Sequence, residues 1–174
     1  MKYRPPKGIY QPLLSANKNL LIKDIDIRFT SGATFDKIQQ ETGFDWREAF
    51  DPTPANSQED SLNKPWVARY IFLNPPFSKA RFFVRKLFQE MEEHKENKEA
   101  LIILPWYQVE WRAHRVTKGG TWLKKLKENT KLNVKEIHLK NQSFLRPDGS
   151  TCMVRVYAIH LTKTPPPPQG NSEN

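Results

Sequence analysis

Apolar residues fall into short blocks separated by proline, glycine and charge, and each block carries its own period. Thr34 is the predicted N-cap of a helix running through Ile38 to Glu41 and closed by Gly43. Glu48-Ala49-Phe50, leading into the turn at Asp51-Pro52, predicts a short buried strand. Arg69-Tyr70-Ile71-Phe72-Leu73 predicts a stronger one, stopped at Asn74-Pro75-Pro76 because proline cannot donate to a ladder. Ser78 then caps a long amphipathic helix in which Phe82, Phe83, Leu87, Phe88 and Met91 recur at three- and four-residue spacing. The unbroken apolar run from Ala100 to Leu104 reads as a central parallel strand. Residues 121–129 read as a basic helix with Trp122, Leu123 and Leu126 on one side. Two alternating stretches, Val134 to Leu139 and Met153 to Leu161, flank the turn residues Pro147-Asp148-Gly149 and predict an antiparallel pair.

Helices between the early strands and a hairpin at the end predict an α/β fold whose sheet is mostly parallel, with an antiparallel C-terminal strand pair. Ligands of such sheets bind beyond the C-terminal ends of the strands, which puts Asp51-Pro52 and Asn74-Pro75-Pro76-Phe77 on one candidate rim. Residues 1–20 have three prolines and no period and read as a basic N-terminal arm. Residues 164–174 are a proline run followed by small polar residues, an extended disordered tail. Residues 21–163 are the folded domain.

Composition narrows the class. The 174 residues suit one domain, domains usually having about 100–200. No stretch approaches the roughly 18 apolar residues of a membrane span, and MKYRPPKGIY lacks the apolar core of a signal peptide, so an intracellular protein is expected. The single cysteine, Cys152, excludes an internal disulfide and a cysteine-only zinc site, and four scattered histidines give no reason to expect a metal. Net charge is +9 and uneven: residues 31–110 hold ten Lys/Arg against thirteen Asp/Glu, whereas residues 111–163 hold twelve against three. That excess suits a polyanion-facing surface, and equally a solvated basic face. Lys124, Lys125, Lys127 and Lys131, interleaved with Trp122, are the candidate nucleic-acid contacts.

Asn74-Pro75-Pro76-Phe77 is the most specific chemical feature. An exocyclic aromatic amine is a poor nucleophile because its lone pair is delocalised into the ring. Two acceptors aimed at its two N–H groups make it more tetrahedral and able to attack a methyl donor. The side-chain oxygen of Asn74 and the main-chain carbonyl of Pro75 are the candidate acceptors, two prolines hold that carbonyl rigid, and Phe77 is the candidate stacking face for an extruded base. A proline-rich strand end with Phe77 in the core is the purely structural alternative.

The segments RFTSGATFDKI, FDPTPANSQEDSLNKPW, YIFLNPPFSKARFFVRK and LIILPWYQVEW, together with the closing QSFLRPDGSTCMVRVYAI, resemble the phage-type, Dam-like DNA N-6-adenine methyltransferase family. The resemblance implies a Rossmann-like methyltransferase fold, S-adenosylmethionine as donor, and methylation of the adenine amine in DNA. It also implies that Asn74, Pro75, Pro76 and Phe77 are catalytic, that Asp51, Pro52 and Asn56 form the cofactor loop, and that Phe29 and Thr30 lie near the cofactor. Trp66 matches the pattern too. The family's Thr-Pro pair reads Thr30-Ser31 here, its Asp-Gly-Leu reads Asp60-Ser61-Leu62, and no Gly-x-Gly loop occurs. Two further readings stand beside DNA methylation: a methyltransferase acting on an RNA base or a protein glutamine amide, and an inactive fold kept for nucleic-acid binding or assembly. Pro105-Trp106-Tyr107 is a candidate lining of the base pocket.

Overall fold

Four strands form where apolar blocks predict them, a fifth at Phe29–Thr30 was not expected, and their partners differ from those of a parallel sheet. The computed structural model describes residues 29–53, 61–110, 121–146 and 148–163. The arm, the tail and Pro147 lie outside the described residues. Phe29–Thr30 is β1, Tyr70–Leu73 β2, Glu99–Pro105 β3, Leu132–Leu145 β4 and Thr151–Lys163 β5, in the spatial order β1-β4-β5-β3-β2. Only β2 and β3 pair parallel, whereas β3 with β5, β5 with β4 and β4 with β1 are antiparallel.

The expected mostly parallel, Rossmann-like sheet is therefore corrected to a mixed, mostly antiparallel sheet curled into a half-barrel. Strand length explains the change. β4 and β5 have 14 and 13 residues and supply most of the ladder, while β2 has four. The predicted strand at Glu48-Ala49-Phe50 contributes only a parallel bridge from Phe50 to Ile71, since Trp46–Glu48 is a 3₁₀ turn capped by Asp45. The run from Ala100 to Leu104 is central and fully buried, but β5 enters beside it antiparallel. An apolar run reports burial on both faces and carries no strand direction.

Two caps also move. In helix α1, Gly32–Thr42, Ser31 accepts the Thr34 N–H, so Ser31 is the N-cap, and Gly43 at φ +81° closes the helix as expected. Thr34 is instead buried, its hydroxyl donating to Gln142 Oε1 at 3.0 Å on β4. Helix α2, Ala80–Glu93, begins after a 3₁₀ turn, Phe77–Lys79, that takes up Ser78; Lys79 stands at its N-cap without a side-chain bond.

Two apolar layers sandwich the sheet. On one face α2 and the later helix α4, Thr121–Asn129, cover Ile71, Leu73, Ala100, Ile102, Leu104, Ile159 and Leu161. On the other face Ile38 of α1 and Trp46 pack on Phe72, Leu101, Ile103, Phe144, Val156 and Ala158. Short helix α3, Trp106–Val109, follows β3 directly.

A polar network lies under α2. Lys86 and Glu90 are 0% and 1% exposed and paired at 3.0 Å, with the Lys86 ammonium 5.0 Å from the Trp66 ring centre. Glu90 also accepts the Trp66 N–H and meets His94 Nε2 at 2.9 Å, and Asn97 bonds the Trp66 carbonyl and the Ala68 N–H. Burial holds the Lys86 pKa below its ordinary value, against the pull of Glu90. These bonds to residues 66–68 fix the chain that approaches β2.

Candidate active site

Asn74 is the first residue beyond β2, and its position on the rim follows from the strand ending at two prolines. Its Nδ2 donates to Thr30 Oγ1 at 3.0 Å, which holds the amide against β1. Thr30 is on β1, the opposite edge of the sheet. The face carrying both side chains is therefore the inner face of the curl. Pro75 and Pro76 are buried, and among the described residues no donor reaches the Pro75 carbonyl.

The Asp51 loop comes alongside through Phe50, whose N–H donates to the Tyr70 carbonyl at 3.0 Å and whose carbonyl accepts from Phe72 N–H at 2.8 Å. Asp51 Oδ1 accepts the Thr53 N–H at 2.9 Å, an Asx turn that shapes the loop. The Thr53 hydroxyl lies 3.3 Å from both Asp51 Oδ1 and the Asn74 carbonyl and so joins the two rim segments. Asp51 is exposed as a residue, yet its carboxyl group is crowded enough that desolvation raises its pKa, against the two Thr53 contacts that lower it. A cavity of about 170 Å³ opens here, lined by Phe50, Asp51, Pro52, Ser61, Lys64, Pro65 and Trp66.

Phe77 takes a different role from the one expected. It is 5% exposed and packs edge-on against Phe144 with ring centres 6.4 Å apart, so in this conformation it offers no open face to a base. Two exposed aromatics stand at the rim, Phe50 and Trp106, the latter with the Arg155 guanidinium carbon 4.4 Å from its ring centre. Gln108 Nε2 of α3 donates to the Phe77 carbonyl at 2.8 Å and ties the helix to the motif. Sequence reasoning missed Thr53 and Gln108. The first was readable, because a threonine two residues after an aspartate is Asx-turn spacing; the second has no local signal.

The remaining predicted residues divide. Asp51 and Pro52 line the cavity, Thr30 meets Asn74, and Asn56 lies outside the described residues. Phe29 stands on the opposite face of β1 from Thr30, 43% exposed, and away from the cavity lining. The four lysines do not converge on the rim. Lys127 pairs with Glu136, Lys124 lies 3.9 Å from Glu128, and Lys125 is exposed. Lys131 borders a hollow of about 370 Å³ with Glu92, Leu132 and Lys163. Because Leu132 pairs with Lys163 at the far end of the hairpin from Leu145, that hollow is at the end of the sheet away from Asn74.

Among the described residues Glu90, Glu93 and His94 bring ligand-type atoms within 4.8 Å of one another, but the Lys86 ammonium already occupies Glu90. No helix among them is long and apolar enough to cross a membrane. The chain matches no protein-family model, no curated protein and no solved structure.

Proposed function

We propose that this chain transfers a methyl group from S-adenosylmethionine to the exocyclic amine of adenine in DNA. The observation that carries the reading is the Asn74 amide, held by Thr30 at the end of a parallel strand and joined through Thr53 to the carboxylate-bearing loop beside it.

The cavity fits part of the donor by its chemistry. Phe50 supplies an exposed aromatic face, Asp51 an acceptor for an ammonium or hydroxyl, and Lys64 a cation for a carboxylate. When bound, the donor supplies an electrophilic methyl group. The chain's own residues do the rest. Asn74 Oδ1 and the Pro75 carbonyl accept the two amine N–H groups, localising the lone pair on nitrogen, while the Thr30 hydroxyl accepts the Asn74 Nδ2 N–H and anchors the side chain at the rim. Fixed acceptors of this kind need no reorganisation as charge develops. The amine nitrogen would take the methyl carbon as the methyl–sulfonium bond breaks and leaves a neutral thioether, and the proton shed by the methylated amine would pass by these acceptors to water. With Phe77 in the core, Trp106 is the aromatic that receives the base face.

Burial of Phe77 favours a second reading, a nucleic-acid-binding subunit without transfer. One incubation separates the two: unmethylated DNA with labelled donor, then hydrolysis and nucleoside analysis. Label in N6-methyladenine supports transfer. Label in another nucleoside, or none under conditions where DNA is bound, overturns it.

A further inference from the structure

Gln108 is held by only one half of its side-chain amide. Its Nε2 donates to the Phe77 carbonyl at 2.8 Å, and because a carbonyl can only accept, Nε2 is the atom that faces the motif. The Oε1 atom is buried and among the described residues finds no hydrogen-bond partner. The other buried side-chain atom in that position is Nε of Arg155, whose guanidinium covers Trp106 and pairs through Nη2 with Glu110.

Stability does not explain this glutamine. The Phe77 carbonyl already accepts the Ala80 N–H that closes the 3₁₀ turn, so losing Gln108 does not leave it unpaired. A buried unpaired acceptor costs at least as much as one hydrogen bond gains. A methionine of comparable length would fill the same space without the orphaned oxygen. Orphaned buried groups call for an explanation, and a local rule broken inside a well-formed fold marks function at that place.

Position supplies the explanation. β2 pairs with β3 as far as Leu73 with Ile102, and β3 runs on to Pro105, so α3 stands beyond the motif that leaves β2. Glu110, the C-cap of α3, fixes the far end to β5 by accepting the Tyr157 hydroxyl at 2.8 Å and Arg155 Nη2 at 3.2 Å. α3 is thus a strut from β5, and the Gln108 bond joins it to the motif. Phe77 is pinned on two sides, by its ring against Phe144 and by its carbonyl under Gln108. Pro76 fixes its own φ and confines Pro75 before it to extended backbone, so pinning Phe77 restricts where the Pro75 carbonyl points.

We infer that Gln108 is a positioning residue of the transfer site, holding the Phe77 backbone so that the Pro75 carbonyl stays aimed at the amine. The inference rests on the adenine-methylation reading and adds to it a residue that acts through the motif.

The test uses the full chain as wild type, Gln108→Met and Gln108→Glu. Gln108→Glu keeps the size and an oxygen but, at a pH where the new carboxyl is ionised, has no hydrogen to give the Phe77 carbonyl. Chemical denaturation reads stability, and calorimetric titration with S-adenosylmethionine reads donor affinity. Labelled-methyl transfer to unmethylated plasmid DNA, followed by nucleoside analysis, reads kcat and KM. Gln108→Met is expected to match or exceed the wild-type denaturation midpoint. Both variants are expected to lose about 10–100-fold in kcat with donor affinity unchanged, the scale on which small misplacements of reacting groups act. Loss of kcat at full stability is what a merely structural role does not produce. Wild-type kcat in either variant, or a Gln108→Met midpoint below wild type, overturns the positioning role alone. No N6-methyladenine from the wild type overturns the methylation reading, and with it the role assigned to Gln108 in that reaction.

Discussion

Asn74 and Thr30 are joined by a hydrogen bond of 3.0 Å although they belong to strands at the two opposite edges of the sheet. In a flat sheet four strand spacings would separate those edges by about 19 Å. The curl removes that distance at the rim, and the rim is where the candidate acceptor stands. The bond thus closes the inner core and orients the amide at the same time.

Asn74→Ala is expected to lower methyl transfer by about 10²–10³-fold, the usual cost of removing one pre-organised polar group from a reacting centre. Donor affinity, read by calorimetric titration, should stay close to wild type because Asn74 faces the amine. Thr30→Val should lower turnover less and leave the donor affinity equally unmoved, as befits a positioning residue. Wild-type turnover in folded Asn74→Ala would remove Asn74 from the chemistry.

Asp51 couples stability and binding in opposite senses. Its pKa in the folded state is raised, chiefly by desolvation, so ionisation disfavours folding. The stability associated with its protonated form is complete below the unfolded-state value and is lost as pH rises through the folded-state value. Asp51→Asn should therefore have a higher denaturation midpoint than wild type at pH 7, with the gap closing near pH 3. The same variant should bind S-adenosylmethionine more weakly. Equal midpoints at both pH values would remove the electrostatic strain assigned to this carboxylate.

Phe77→Ala distinguishes a core ring from a base-stacking ring. Buried against Phe144, the ring should cost about 3–5 kcal/mol of stability when truncated. Phe77→Leu, which keeps most of the volume, should recover much of it. Chemical denaturation reads both, and a loss under 1 kcal/mol for the alanine variant, the level of an exposed site, would return Phe77 to the surface.

Removing one partner of the Lys86–Glu90 pair strands the other in the core. Glu90→Ala should destabilise the fold by about 3–5 kcal/mol. Lys86→Met/Glu90→Leu should be milder than Glu90→Ala, because neither charge then remains buried. A double variant that sums the single losses would show that the two side chains act independently.

Local rules are enough to read much of this chain from its sequence: the helix over residues 121–129, the stop at Gly43, the strand ending at Asn74, the hairpin around Asp148-Gly149. Each depends on neighbours within a few positions, on caps, period and proline. The approach of Asp51-Pro52 to Asn74-Pro75 was expected of two strand ends, whereas a single parallel bridge at Phe50 and the Thr53 hydroxyl bring them together. What tertiary structure alone decided is the company these elements keep. β3 is equally apolar whether its neighbour runs parallel or antiparallel, so nothing within it announced β5. Phe77 reads the same as stacking face or core, and Phe144, distant in sequence, makes it core. The Thr30 bond to Asn74 exists only because the sheet curls, and curl is a property of five strands twisting together, which no single segment encodes.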